Sequence, residues 1–317
     1  MYKTATQQWD LLTQLNCLYP NEEFKEVTRL PSTRNIVLSA KANMNQYIFK
    51  MAPSDHCDLL YREARGITEL YDHGGPVPRP LPIIDGCGSR INYDGREYVV
   101  RGYEYIKGTA LTVSDNTFYC LGVSIGKLHD TWQIQERPSW VPEINITDLI
   151  FEPIEAIAKR HPLQSKQPVI RRLSQEVADV LAAHRDPDYL GFTHGDSHHL
   201  NAIQNEHGEI VMIDLEDLGW QWRAYDLATA IWGSFGRGGS AAVWNALIAG
   251  YTSVRQLSQA ESMLIRYLIF ARHLWWLGQY AKNWERWRQR YTLKQFFDSG
   301  IELLEIIARD VCGIKEC

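Results

Sequence analysis

Cysteine is sparse and unpatterned, with six residues at 17, 57, 87, 120, 312 and 317 and no Cys-x-x-Cys pair. Disulfide frameworks and structural zinc sites need closely spaced or paired thiols, so neither is encoded, and a reducing cytosol is the expected compartment. Charge of one sign is equally lacking: 33 basic against 38 acidic residues leave a formal net charge of −5. That balance creates no field to gather nucleic acid or an anionic bilayer, and neither is expected as a partner. Long apolar runs are missing too. The most apolar stretch, 263–280, is interrupted by Arg266, Arg272 and His273, which makes it a poor bilayer span and a better buried helix. The opening MYKTATQQWDLL has no cationic segment, apolar run or small-residue cleavage site, so export is not expected.

What remains is an ordinary globular composition, 45% hydrophobic and 22% charged over 317 residues. Cores usually divide beyond about 250–300 residues, so two unequal lobes are expected. Residues 8–18 read as a short amphipathic helix; 35–39 and 47–51 read as two strands of a hairpin, joined by a polar turn at 42–45. Leu60, Ala64, Ile67 and Leu70 recur at helical spacing through 58–72, with Asp58 placed to cap the start. After the Gly74–Pro78 breaker, strands are expected at 90–93 and 97–103 around the Asp94-Gly95 turn signal. Past Gly108 the pattern turns helical, at 116–132, 167–184, 225–234, 241–257, 259–286 and 294–310, with a buried strand at 210–213. The reading is therefore an α+β chain with a small β-rich lobe, 1–105, and a larger, mainly helical lobe, 106–317, carrying a two-stranded insert.

Charged side chains on faces that should be apolar are the sharpest local signals, because an unpaired buried charge costs several kcal/mol. Lys50 shares a strand face with Ile48, while Glu63 falls between Leu60 and Ile67 on the apolar stripe of the next helix. A structural ion pair or a snorkelling lysine explains these two alone; a strand lysine followed by a helix glutamate is also how kinases hold nucleotide phosphates. Asp214 ends an apolar strand and is followed by Glu216 and Asp217, an arrangement suited either to a solvated loop or to a hard cation.

The segment FTHGDSHHLNAIQNEHGEIVMIDLED decides among these readings. His-Gly-Asp, four residues, Asn, then a short strand ending in Asp resembles the kinase catalytic loop and its downstream metal-binding aspartate. With Gly195 following His194 and YDLA at 225–228, it resembles the aminoglycoside phosphotransferase and choline kinase-like superfamily, which has the protein kinase-like fold. The resemblance extends over roughly 28–235 through LPSTRNIVLS, the Lys50–Glu63 pair, YVVRGYEYIKGTAL and LGVSIGKLHD; ARHLWWLGQYAKNWERW is similar to helices of the homoserine kinase-like and stress-response kinase branches.

The resemblance implies an ATP- and magnesium-dependent transfer of phosphate to a hydroxyl group. It gives Asp196 the acceptor hydroxyl, Asn201 and Asp214 the magnesium ion with help from Glu216, and Lys50, braced by Glu63, the α- and β-phosphates. Backbone at Tyr103, Glu104 and Tyr105 is implied for the adenine edge. The family's nucleotide loop usually carries glycines, whereas residues 29–35 have none, so Ser32, Thr33 and Arg34 stand as the substitute phosphate contacts. Asp226 and His194 are expected to brace the catalytic loop. A zinc site at His194, His198 and His199 is disfavoured because Gly195 breaks the helix such spacing needs. A small-molecule alcohol is the preferred acceptor, with a stress-response type protein Ser/Thr kinase and a non-catalytic nucleotide-binding regulator as alternatives. Candidate acids for a cationic acceptor are Glu143, Asp148, Glu152 and Glu155; Trp220 and Trp222 are candidate pocket aromatics.

Overall fold

Strands dominate the first part of the computed structural model, which describes residues 5–32, 35–82, 89–131, 136–161, 166–287 and 292–314. The chain divides into two compact units, one of residues 1–109 with 203–217, the other of residues 110–202 with 218–317.

The first unit is built on a five-stranded antiparallel sheet of β1 (Phe24–Leu30), β2 (Ile36–Ala42), β3 (Asn45–Pro53), β4 (Ser89–Tyr93) and β5 (Arg96–Glu104), ordered β1-β2-β3-β5-β4. Tight turns at Asn43, φ 51°, and at Asp94-Gly95 set its register. Asp94 and Gly95 both have positive φ, 54° and 76°, which brings Tyr93 opposite Arg96. This is the left-handed pair that favours Asp-Gly in two-residue hairpins. Tyr47, Phe49 and Met51 face a core with Leu38 and Phe24, which α1 (Ala5–Leu18) closes through Leu11 and Leu15. The opposite face carries Lys50 paired across to Arg101, and Ile48 paired to Tyr103.

Helix α2 (Asp58–Asp72) occupies the expected span, with Leu60, Glu63, Ile67 and Leu70 buried. Asp58 is not its cap: Cys57 takes that position without a side-chain hydrogen bond, and Asp58 is the first helical residue. There its negative charge still meets the positive end of the helix dipole. Strand β1 was not expected from the sequence. Only Phe24 and Val27 of FKEVTRL are buried, and a register shift between Phe24 and Glu26 breaks the two-residue alternation that announces a strand.

Residues 203–217 lie far along the chain but belong to the first unit, where the Met212 N–H donates to Pro76 O at 2.7 Å. A three-stranded sheet orders β6 (Gly108–Ala110), β8 (Ala202–Asn205) and β9 (Ile210–Met212) as β6-β8-β9. A division into two contiguous lobes at 105/106 therefore leaves this hairpin in the other lobe; the pairing of distant strands, not chain order, decides where it packs.

The second unit holds α3 (Asp115–Thr131), α4 (Glu152–Arg160), α5 (Gln167–Ala183), α6 (Ala224–Gly233), α7 (Ala241–Thr252), α8 (Gln259–Lys282), α9 (Trp284–Trp287) and α10 (Leu293–Ile306). It also holds the antiparallel pair β7 (Leu190–Thr193) and β10 (Gly219–Trp222). Helices α3 and α7 meet backbone to backbone: a Cβ at Gly122 would lie 2.0 Å from Leu247 O, and one at Gly250 would lie 2.0 Å from Tyr119 O. Helix α8 buries residues around most of its circumference, from Leu264 and Leu268 to Phe270, Arg272, His273 and Leu277. The polar members of that set must find partners inside. No helix among the described residues is long and apolar enough to cross a membrane.

Candidate active site

Two clusters of candidate functional side chains are built, one in each unit. In the first, β3 carries Lys50 and α2 carries Glu63, whose carboxylate is fully buried. Lys50 Nζ lies 2.6 Å from Glu63 Oε1, 2.6 Å from Asp214 Oδ1 and 3.5 Å from Glu216 Oε1. The Leu215 N–H also donates to Glu63 Oε1 at 3.1 Å, and Asn35 donates through Nδ2 to Glu216. Asp214 follows β9 in a left-handed conformation, φ 65°, which aspartate tolerates better than most side chains.

One ammonium thus faces three carboxylates. Burial pulls the Lys50 pKa down, but Glu63, Asp214 and Glu216 together hold it well above its ordinary value. Burial pushes Glu63 up to about 7, with the negative charges of Asp214 and Glu216 adding to the rise and Lys50 opposing it. The excess negative charge and all-oxygen donor set fit a hard divalent cation. Oxygen atoms of Glu63, Asp214 and Glu216 lie within 4.8 Å of one another, and theirs is the group of this kind found among the described residues.

In the second unit, Asp196 lies in the loop after β7, where Gly195 adopts φ 81°. Four groups hold this residue. The Asp196 N–H donates to His194 Nδ1 at 3.2 Å; Asn201 Nδ2 donates to Asp196 O and to Oδ2, both at 2.9 Å; and Arg272 Nη2 forms an ion pair with Oδ1. His198 Nε2 lies 3.4 Å from the same Oδ1. With its amide nitrogen committed to Asp196, the remaining polar atom of the Asn201 side chain is an oxygen, an acceptor.

Asp226, fully buried in α6, organises the loop. Its Oδ2 accepts from the His194 N–H at 2.8 Å and from His129 Nε2 at 3.0 Å, and its Oδ1 accepts from the Gly195 N–H at 2.9 Å and Ser197 Oγ at 3.1 Å. Burial alone raises a carboxyl pKa, yet the His129 bond and the His194 amide leave Asp226 below its ordinary value. Tyr251 Oη completes the chain, 3.1 Å from His129 Nδ1. His194 and Asp226 both stand where loop-bracing residues were expected. The sequence reading gave no role to His129, Tyr251, Asn35 or Arg272; His129 left a signal as the Leu-His ending of LGVSIGKLHD, and Arg272 as a charge inside an apolar run.

The backbone amides expected at the adenine edge are partly engaged: the Glu104 N–H donates to Arg79 O at 2.9 Å and the Tyr105 N–H to Gln46 O at 3.0 Å, while Tyr103 is buried and pairs with Ile48. Ser32 is exposed and donates to Asn35 O; Thr33 and Arg34 lie outside the described residues. The four candidate acids are committed elsewhere. Glu143 pairs with Arg185, Glu152 with Lys282 at 2.9 Å and Glu155 with Arg171 at 2.9 Å, while Asp148 accepts from the Asn145 N–H at 2.8 Å. Trp222 is a core residue, its indole N–H bonded to His184 O at 3.0 Å, whereas Trp220 is half-buried.

A family model described as the phosphotransferase enzyme family matches residues 26–261. Amicoumacin kinase of Bacillus subtilis (strain 168) is 24% identical over 221 residues, 65% of this chain and 62% of that protein, so the matched stretch spans less than two thirds of that relative. A solved amicoumacin kinase in complex with AMP-PNP, Ca2+ and Ami has a TM-score of 0.74 at 20% identity, covering 98% of this chain and 94% of that one. A microcompartment-associated aminopropanol kinase has a TM-score of 0.76 at 18% identity, covering 96% and 99%. At these identities the solved structures establish the fold, which is the α+β, bilobal, protein kinase-like architecture.

Proposed function

We infer the reaction from one premise: the chain belongs to the phosphotransferase enzyme family, and it is a phosphotransferase. The reading is that it transfers the γ-phosphate of ATP to a hydroxyl group of a small molecule, with magnesium, in the cytoplasm. The observation that carries this reading is that Lys50 Nζ lies 2.6 Å from both Glu63 and Asp214, residues distant in sequence. The names of the relatives, amicoumacin kinase and aminopropanol kinase, support a small-molecule acceptor.

Each residue has a role that its surroundings support. Lys50, kept charged by three carboxylates, neutralises the α- and β-phosphates, and Glu63 fixes its direction. Asn201 and Asp214, assisted by Glu216, would hold magnesium, which supplies charge neutralisation to the phosphates when bound. Asp196 accepts the hydrogen bond of the acceptor hydroxyl, orients its oxygen and takes its proton as the bond to the γ-phosphorus forms and that from phosphorus to the bridging oxygen breaks, releasing ADP. Backbone at Tyr103, Glu104 and Tyr105 is assigned to the adenine edge, with carbonyl groups as the acceptors where the amides are engaged. Ser32, Thr33 and Arg34 remain the assigned contacts of the glycine-free loop.

Asp196→Asn keeps the shape of the side chain and removes its basicity. ATP affinity by calorimetry is expected to stay at the wild-type level while turnover falls about 10²–10⁴-fold, the range of a lost general base. Wild-type turnover in this variant would overturn the assignment.

A further inference from the structure

Arg272 is 3% exposed, in the middle of α8, a helix whose buried residues are mostly apolar. A guanidinium this deeply buried must be paired, since an uncompensated buried charge is strongly destabilising. Here the partner is Asp196, the carboxylate assigned to the chemistry. Arg272 Nη1 also reaches Gly195 O at 3.3 Å, so the side chain grips the loop at two adjacent residues.

The guanidinium is held from behind as well. Its carbon lies 4.9 Å from the Trp232 ring centroid and 4.7 Å from that of Trp275. Trp232 is itself fixed, because its indole N–H donates to His273 Nδ1 at 3.0 Å while His273 Nε2 donates to Gly300 O at 2.8 Å. On the other side of the carboxylate, Asn201 holds Oδ2 at 2.9 Å. Partners on both oxygens restrain rotation of the carboxylate plane. Phosphoryl transfer depends on alignment of the attacking oxygen more than on covalent help, so a restrained aspartate is worth more than a mobile one.

We propose that Arg272 is a positioning residue for the phosphotransfer reaction, orienting the Asp196 carboxylate from a seat formed by Trp232 and Trp275. The inference rests on the kinase reading above. Lysine cannot reproduce the planar fork that spans Oδ1 and the Gly195 carbonyl, and it does not stack in the same way between two rings.

The test combines a readout that needs an acceptor with one that does not. For an alcohol turned over by the wild type, Arg272→Ala and Arg272→Lys are expected to lower kcat about 10²-fold, the cost of slight misplacement, at unchanged KM for acceptor and ATP. Low-millimolar methylguanidinium chloride restores Arg272→Ala severalfold, and equimolar sodium chloride does not. Independently, urea unfolding of Arg272→Ala, Asp196→Ala and the double variant is expected to be non-additive, as for residues in direct contact. Should Arg272→Ala fail to fold, the same cycle is run with Arg272→Lys. Additive effects without rescue would overturn the proposal, and so would a raised acceptor KM at wild-type kcat, which marks an acceptor-binding arginine. Absence of turnover in the wild type would overturn the kinase reading, while the unfolding cycle would still decide the ion pair.

Discussion

His273 carries a pH dependence that can be isolated. Burial pulls its pKa down to about 4, and the charge of Arg272 adds to the effect, against the opposing Gly300 carbonyl. An unfolded histidine titrates near about 6.5, so the unfolded chain takes up the proton first as the pH falls. The stability that comes from keeping this imidazole neutral is therefore complete above about 6.5 and lost as the pH falls toward 4. His199, also pulled down to about 4 by burial, behaves in the same sense. His273→Gln removes one of these two titrations. Urea unfolding from pH 7 to pH 4 is expected to show the stability gap between wild type and variant narrowing with acidity; parallel curves would contradict the assignment.

Residues also differed in how far their partners could be read from sequence. Lys50 and Glu63 were legible because each sits on a strand or helix face whose periodicity demands an apolar group, and their separation matches a known pairing. Arg272 was visible only as an interruption, since its partner lies 76 positions away and no local pattern joins them. The acids Glu143, Glu152 and Glu155 could not be decided from sequence for the converse reason: a carboxylate looks free until the facing arginine or lysine is placed.

Elements with strong periodicity and clear stop signals, such as α2, α3 and the β4–β5 hairpin, fell where the sequence placed them. Those held by tertiary pairing did not announce themselves. Strand β1 lacks alternation because of its register shift, and α4, EPIEAIAKR, is short with proline in its first turn. The helix expected over 259–286 ends at Lys282, where Asn283 turns both its amide and its backbone N–H onto Gln279 O. Helix α8 begins with a full capping box, Ser258 Oγ accepting from the Glu261 N–H at 3.1 Å and the Glu261 carboxylate accepting from the Ser258 N–H at 3.0 Å. Arg272 and His273 lie well inside this helix, remote from its cap. Ser258→Ala is expected to cost about 1 kcal/mol, the usual loss for a deleted cap, visible as a lower thermal midpoint at unchanged kcat. An unchanged midpoint would remove the cap from the account.

At the scale of the whole molecule, the bilobal kinase-like fold is what the catalytic-loop resemblance implied. Chain order did not reveal that residues 203–217 pack with the first unit. That packing matters, because it delivers Asp214 and Glu216 to Lys50, while Asp196 and Asn201 stay with the helices of the second unit. The measurement that tests the central claim most directly is transfer of labelled γ-phosphate from ATP, with and without magnesium, to a panel of aminopropanol, choline, homoserine, spectinomycin, amicoumacin and a generic protein substrate. The account predicts magnesium-dependent labelling of a small-molecule alcohol that is lost in Asp196→Asn. Labelling of protein hydroxyls alone, or labelling undiminished in Asp196→Asn, would contradict it.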